Sequence, residues 1–371
     1  MANNNENKIL NVPHLRFPEF SGEWKKCKLG DLCNVLMCKR ILVSQTNTED
    51  GVPFYKIGTI GSTPDAYISK ELFDDYKVKY NYPRKGEVMI TCAGTVGKCV
   101  VYDGEDAYFQ DSNIVWIDNP TQYISNGFLF HLLSKVDWRK LNSTTIIRIY
   151  NDDLRNLKMS YPRKEEQQKI SHLLSLLDER IATQNKIIDK LQSLIKGIAQ
   201  NITCSNKPNV HISECLECSS STLQESDVFE HGAYPVYGAN GIVGYLDNYN
   251  TENEAVYIIK DGSGVGTVSY VTGKCSATGT LNILQAPNGY SLRYLYYLLK
   301  VFNFEPYKTG MAIPHIYFKD YGKAKIFCPL YSEQLKYATL LSTIDDKLST
   351  EQDILKSLNL EKQYLLCQMF I

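Results

Sequence analysis

Two long stretches of the chain carry apolar residues at heptad spacing. The first runs from about residue 162 to 202 and the second from about 329 to 371. In both, apolar residues recur in alternating steps of three and four, which predicts a long helix whose apolar seam needs a partner helix. A helix of about forty residues is roughly 60 Å long at ~1.5 Å per residue, so we expect a spacer or a docking arm rather than a core helix.

The two stretches match in register when 167 is added to the numbers of the first. The one polar position of the seam, Gln184, then falls on Glu351, whereas Lys362 replaces Ile195 and breaks the match. Two ordinary amphipathic helices would give similar patterns, but a repeat in register favours an antiparallel coiled coil. The residues predicted to form its seam are Ile170, Leu174, Leu177, Ile181, Gln184, Ile188, Leu191, Leu341, Ile344, Leu348, Glu351, Leu355 and Leu358.

Each seam follows a stretch whose pattern predicts a globular domain. An offset of 169 places Gly97 on Gly266, so the whole chain is a duplicated module. We therefore predict a mixed α/β (α+β) fold with pseudo-two-fold symmetry and four segments: 1–161, 162–205, 206–328 and 329–371. In the first domain the pattern predicts a polar tail at 1–11, an irregular anchor at 13–24, strands at 52–57, 86–91, 96–102 and 113–117, and helices at 69–80 and 127–141. In the second it predicts strands at 234–238, 255–259, 265–271 and 281–284, and a helix at 292–302.

Composition narrows the class of protein without fixing its function. The sequence has no apolar run long enough to span a membrane, and its start lacks the apolar core of a signal peptide, so we expect a cytoplasmic protein. Eleven cysteines without a paired framework fit a reducing compartment, and Cys215-x-x-Cys218 lacks the second pair of a zinc ribbon. A net charge of −1 does not indicate a nucleic-acid binder, so such binding would need local clusters or a partner's charge.

Two motifs resemble catalytic or nucleotide-binding sequences. Residues 261–266 form a glycine-rich run, but the residues after it have a strand pattern instead of opening a helix, which favours a hairpin turn over a phosphate-binding loop. A second glycine-containing turn occupies the matching place in the first domain, which suggests that the two turns share a task. Asp65, Asp75 and Lys77 fit the spacing of a metal-dependent nuclease, although the second half of that motif lies in a helical pattern and has no copy in the second domain.

Several features together resemble one known family, the specificity (S) subunits of bacterial type I restriction-modification systems. The resemblance covers essentially the whole chain. Its marks are Pro162 followed by Glu166-Gln167, Pro329 followed by Glu333-Gln334, the opening 15–24, the run 234–241, and the turns ending in Val96-Gly97 and Val265-Gly266.

The resemblance implies a division of labour between this chain and its partners. Each globular domain would be a target recognition domain reading one half of a bipartite double-stranded DNA site. The two helices would be a spacer and a dock for methyltransferase (M) subunits, with restriction (R) subunits joining later. The S subunit has no catalytic site and binds no cofactor, so S-adenosylmethionine, ATP and Mg²⁺ would belong to the partners.

On this reading, phosphate contacts come from Lys, Arg and backbone N–H groups, and base contacts from loop side chains. The two domains differ where the strand meets the glycine-containing turn. The second domain has Lys260 there, whereas the first has Thr91-Cys92. Alternative hypotheses are the nuclease described above and a coiled-coil scaffold that binds only protein. The candidate DNA contacts are Arg40, Lys98, Arg148, Lys260, Ser263 and His315.

Overall fold

The computed structural model describes residues 10–141 and 148–371. Most of the predicted tail at 1–11 lies outside the described residues. The chain forms two compact units, one of residues up to Ala182 together with Lys356–Ile371, the other of Thr183–Leu355. Each long helix contributes its two ends to different units. No helix among the described residues is long and apolar enough to cross a membrane.

The first unit contains two four-stranded sheets and a two-stranded ribbon. One sheet is antiparallel, in the order β2-β9-β6-β7, and the other has the order β3-β5-β4-β8 with a parallel β4–β8 pair. The ribbon pairs β1 with β10. The strands are β1 (Lys25–Lys28), β2 (Asn34–Leu36), β3 (Thr46–Asn47), β4 (Val52–Tyr55), β5 (Tyr67–Ile68), β6 (Val88–Thr91), β7 (Cys99–Val101), β8 (Tyr108–Phe109), β9 (Ile114–Asp118) and β10 (Lys158–Tyr161). The helices are α1 (Lys70–Lys79), α2 (Asn126–Lys135), α3 (Trp138–Leu141), α4 (Asn151–Arg155) and the first part of α5 (Lys164–Cys204).

The second unit repeats this plan, with three strands instead of four in its second sheet. Its antiparallel sheet has the order β12-β18-β15-β16, its second sheet β14-β13-β17 with a parallel β13–β17 pair, and its ribbon pairs β11 with β19. The strands are β11 (Val210–His211), β12 (Glu217–Ser220), β13 (Tyr234–Gly238), β14 (Gly241–Leu246), β15 (Glu254–Ile259), β16 (Val268–Thr272), β17 (Ser276–Ala277), β18 (Leu281–Gln285) and β19 (Lys325–Ile326). The helices are α6 (Ile212–Cys215), α7 (Leu292–Val301), α8 (Phe318–Tyr321) and the first part of α9 (Tyr331–Met369).

The two long helices pack antiparallel, as predicted. In the first unit Ile170 and Leu174, early in α5, share a core with Leu366 and Met369, late in α9. In the second unit the late α5 residue Ile195 shares a core with α9 residues of the opposite end. The predicted seam is buried at Ile170, Leu174, Gln184, Ile188, Leu341, Leu348, Glu351 and Leu358, and half-buried at Leu177, Ile181, Leu191, Ile344 and Leu355.

The residue that breaks the seam pattern finds a polar partner. The ammonium of Lys362 bonds the carboxylate of Asp178 on α5, and both side chains are about a quarter exposed. The polar position of the seam pairs with its own equivalent, because Gln184 donates to the Glu351 carboxylate and, at 3.0 Å, to the Glu351 carbonyl oxygen.

Local details shift several predicted bounds. The predicted strands at 96–102 and 265–271 are shorter because Val96 and Val265 belong to the turns before β7 and β16. The predicted helix at 127–141 is interrupted, since Val136 takes an extended conformation as the C-cap of α2. Helix α1 begins after Ser69, whose hydroxyl accepts a hydrogen bond from the Leu72 amide at 3.2 Å.

Candidate nucleic-acid interface

The second domain presents a tight turn, residues 260–267, between β15 and β16. We call it the second Val-Gly turn. The Gly266 amide donates to the Ile259 carbonyl at 2.9 Å, and the Thr267 amide to the Gly264 carbonyl at 3.0 Å. Gly266 has a φ of +90°, and a Cβ on it would lie 3.1 Å from the Cβ of Phe304. Glycine is therefore needed for both conformation and space.

A loop that precedes α8 is hydrogen-bonded along one side of this turn. The Gly262 amide donates to the Pro314 carbonyl at 3.0 Å, and the Ile316 amide to the Lys260 carbonyl at 2.9 Å. These bonds bring three predicted DNA contacts, Lys260, Ser263 and His315, to one place. Ser263 is exposed, and Lys260 and His315 are half-buried.

The first domain builds the same turn, residues 91–98, between β6 and β7. In this first Val-Gly turn the Gly97 amide donates to the Thr91 carbonyl at 2.8 Å. Gly97 has a φ of +84°, and a Cβ on it would lie 2.2 Å from the Trp138 ring. The two turns thus pack a glycine against an aromatic residue, Trp138 in one domain and Phe304 in the other.

Two of the three predicted contacts of the first domain border its turn. Lys98 is exposed overall, but its ammonium donates to the Ile60 carbonyl at 2.5 Å and so ties the turn to a neighbouring loop. Arg148 donates to the Ser112 carbonyl at 3.3 Å and lies 5.9 Å from the centre of the Tyr150 ring. Arg40 is exposed in a different groove, which Val43 and Asp111 also line.

The junction residues of the first turn, Thr91 and Cys92, are buried. Burial raises the pKa of the Cys92 thiol to about 12, against the opposing field of the Arg148 guanidinium. The Thr91 side chain is also buried, and its hydroxyl donates to the Thr95 carbonyl inside the turn. The turn is therefore a rigid support for its exposed backbone and for neighbouring cations.

The sequence-based prediction missed residues beside both turns. Arg139 lines a groove with Gly94 and Lys98 in the first domain. In the second, Met311 is fully exposed and Ile313 is 65% exposed on the loop beside the turn. The sequence shows these two apolar residues between Gly310 and Pro314, but the pattern alone does not predict that their side chains are exposed.

The nuclease hypothesis finds no support in the geometry. Asp65 pairs with Lys56 at 2.9 Å, Asp75 pairs with Lys79, and Lys77 pairs with Asp106 at 2.9 Å. The three motif residues are thus engaged in three separate ion pairs. Across residues 10–141 and 148–371, no group of three or more His, Cys, Asp or Glu side chains is arranged to hold a metal ion.

Comparison with known proteins defines the class. The family model described as "Type I restriction modification DNA specificity domain" matches residues 21–193 and 210–360. Because the two matches together span most of the chain, the protein belongs to this family. Both turns and most of each long helix lie within the matched segments.

Individual relatives agree with this assignment. The chain is 45% identical over 189 residues to a putative type I restriction enzyme specificity subunit of Haemophilus influenzae, covering 51% of this chain and 46% of that protein. It is 25% identical over 315 residues to a putative type I specificity subunit of Mycoplasma pneumoniae, covering 77% and 83%. The chain thus spans about half the length of the first of these relatives.

A solved structure shares the fold over nearly the whole chain. The crystal structure of a type I restriction-modification S subunit from M. genitalium matches with a TM-score of 0.67 at 18% identity, covering 97% of this chain and 99% of that one. At this identity the match establishes the fold alone.

Proposed function

We propose that this protein recognises a bipartite double-stranded DNA sequence as the specificity subunit of a type I restriction-modification complex. Each globular domain reads one half-site, and the chain performs no catalysis itself. The observation that carries the proposal is a unit found in both domains, a glycine turn whose backbone is hydrogen-bonded to the segment that carries Arg148 or His315, together with the family to which the chain belongs.

The partners follow from the same proposal. Methyltransferase subunits dock on the paired helices and modify adenine, and restriction subunits join the complex to cut DNA in the cytoplasm. S-adenosylmethionine, ATP and Mg²⁺ are bound by those partners. Because residues 206–328 carry a net charge of −2, the second domain needs phosphate contacts supplied by partner subunits around the duplex.

The binding residues are proposed from position. Lys260 and Ser263 lie in the second Val-Gly turn with His315 beside it, and Lys98 ends the first turn with Arg148 beside it. Exposed polar side chains beside a rigid turn can hydrogen-bond base edges, while Lys and Arg contact phosphates. Lys98 takes part through the loop that it ties to the turn. Arg40 contacts phosphate from its separate groove.

The test uses the chain coexpressed with its methyltransferase partner. Mapping methylated adenines with and without this gene defines the motif. Arg148→Ala and His315→Ala should then each weaken binding to duplexes of one half-site, by about 1–3 kcal/mol at the position read. His231→Ala and Arg163→Ala, at exposed positions outside both turns, are the matched controls.

The pattern of loss decides the role. Uniform weakening across all sequences would assign these residues to phosphate contacts instead of base contacts. A methylation pattern that does not depend on the gene would refute the proposed function altogether.

A further inference from the structure

The loop at residues 309–315 is closed at its base and therefore rigid. We call it the 309–315 loop. The Thr309 amide donates to the His315 carbonyl at 2.9 Å, and the His315 amide donates back to the Thr309 carbonyl at 2.8 Å. Gly310 has a φ of +90°, and a Cβ there would lie 2.3 Å from the Ile313 carbonyl oxygen. Pro314 fixes a further backbone angle, so the tip has little conformational freedom to lose on binding.

The tip of this loop exposes apolar side chains. Met311 is fully exposed and Ile313 is 65% exposed. Single exposed apolar residues are common on protein surfaces, but here two lie on one rigid tip. The tip is fixed to the second Val-Gly turn by the bond from Gly262 to Pro314.

The chemistry around the tip suits a duplex. Lys260 and His315 are its polar neighbours, and Lys319 lies 5.1 Å from the centre of the Tyr317 ring close by. The edges of bases in the major groove present hydrogen-bonding groups and one apolar group, the C5 methyl of thymine. An apolar tip among polar readers therefore suits the thymine methyl group better than any other group in the major groove.

We propose that Met311 and Ile313 read the C5 methyl group of a thymine in the half-site of the second domain. The inference rests on the proposed function and adds a specific base feature to it. Ile313 has a branched, stiff side chain and makes the closer-fitting contact, whereas the flexible Met311 covers the methyl group from one side. Lys260, Ser263 and His315 read or hold the neighbouring groups.

The experiment is a double-mutant cycle between protein and DNA. The chain, in complex with its methyltransferase partner, is titrated with duplexes in which each thymine of the second half-site is replaced in turn by uracil. Uracil keeps the base pair and lacks only the methyl group. Losing one buried methyl contact should weaken binding about fourfold at one position.

The variants show whether the loop makes that contact. In Ile313→Ala, or in the double variant with Met311→Ala, binding to the thymine duplex should fall and sensitivity to uracil at that position should disappear. Ile242→Ala, which removes another isoleucine side chain that is 53% exposed, should leave the sensitivity unchanged. Because all three side chains are exposed, unfolding midpoints should match that of the unmodified protein.

Other results would overturn the inference. Equal sensitivity to uracil in the Ile313→Ala variant would place the methyl contact elsewhere. A different result is that the variant binds DNA more weakly while the unmodified protein shows no sensitivity to uracil. The tip would then act as a wedge between base steps. In both cases the half-site preference itself would survive, whereas loss of all sequence preference in the unmodified complex would refute the proposed function.

Discussion

The starts of the two long helices share their sequence signature but differ in surroundings. At the start of α5, Glu166 is 1% exposed, and Arg16 donates to its two carboxylate oxygens at 2.8 and 2.7 Å. The Trp24 indole adds a third hydrogen bond at 3.2 Å. At the start of α9, the equivalent Glu333 is exposed.

The neighbouring glutamine behaves alike in both copies. The Gln167 side chain accepts from the Ser125 amide at 2.7 Å and donates to the Pro162 carbonyl at 3.0 Å. The Gln334 side chain makes the equivalent bonds to Ser291 and to Pro329, both at 2.9 Å. Contacts internal to the duplicated module are therefore kept.

The contacts of the glutamates differ because the segment at 13–24, which carries Arg16 and Trp24, has no equivalent before the second domain. Leu330 and Leu335, 76% and 43% exposed, accordingly remain uncovered at the start of α9. A repeat in sequence thus determines local structure, while burial depends on what lies outside the repeat.

The largest expected difference is in the two glutamates themselves. Glu166→Gln leaves the partly buried Arg16 without its counter-charge and should lower the free energy of unfolding by about 3 kcal/mol. Glu333→Gln should change it by less than about 0.5 kcal/mol, since the side chain is exposed. Urea unfolding of both variants measures this. Equal changes in the free energy of unfolding would mean that the buried ion pair contributes no more to stability than the exposed Glu333 does.

A second difference concerns the residues that face an equivalent aspartate on each long helix. His131 is 1% exposed, and its Nδ1 lies 4.0 Å from Asp178, whereas Tyr297 donates to Asp345 at 3.2 Å. Burial is the main cause that lowers the pKa of His131 from 6.5 to about 4; Lys362 lowers it further and Asp178 opposes.

This lowered pKa predicts a loss of stability in acid. As pH falls from about 6.5 toward 4, the unfolded chain takes up a proton that the folded chain excludes, so folding weakens by up to roughly 2–3 kcal/mol. Above pH 6.5 the contribution of His131 is constant. In His131→Phe this part of the pH dependence should vanish, and unfolding midpoints at pH 7 and pH 4.5 provide the test. A parallel pH profile in the variant would contradict it.

The smallest expected difference lies in the two Val-Gly turns. Gly97→Ala and Gly266→Ala both force alanine into a left-handed conformation, at a cost of about 1–2 kcal/mol. The Cβ at position 97 also overlaps the Trp138 ring, so Gly97→Ala should be more destabilising by roughly 1–2 kcal/mol. Gly273→Ala, with a positive φ but open space, is the matched control. Thermal unfolding that ranks Gly266→Ala as the more damaging would show that Trp138 moves aside easily.

The elements with strong local patterns were predictable from the sequence. The heptad seams and the strands now seen as β6, β9, β15 and β18 follow from periodicity, and the glycine-rich loop is a hairpin turn as expected. The β1–β10 ribbon was not predicted, because it joins short polar strands that lie far apart in the chain. Its pairing depends on tertiary contacts that a local pattern does not contain.

The candidate site was predictable only in part. The duplication indicated that the two turns have a common task, and the structure brings Lys260, Ser263 and His315 together. The sequence could not show that the Lys98 ammonium donates to a backbone carbonyl, or that the 309–315 loop closes on itself. Such facts depend on which distant backbone atoms happen to lie nearby.

The contact between Gln184 and Glu351 gives the two halves of the chain a preference for each other. A carboxamide donates and a carboxylate accepts, so the unlike pair forms a hydrogen bond. Two copies of the second helix would bring carboxylate against carboxylate, and two copies of the first would bring amide against amide, a neutral and tolerable match. The exchange of an amide nitrogen for a carboxylate oxygen at this position thus favours pairing of the first long helix with the second over pairing of two second helices. Pairing of two first helices remains possible.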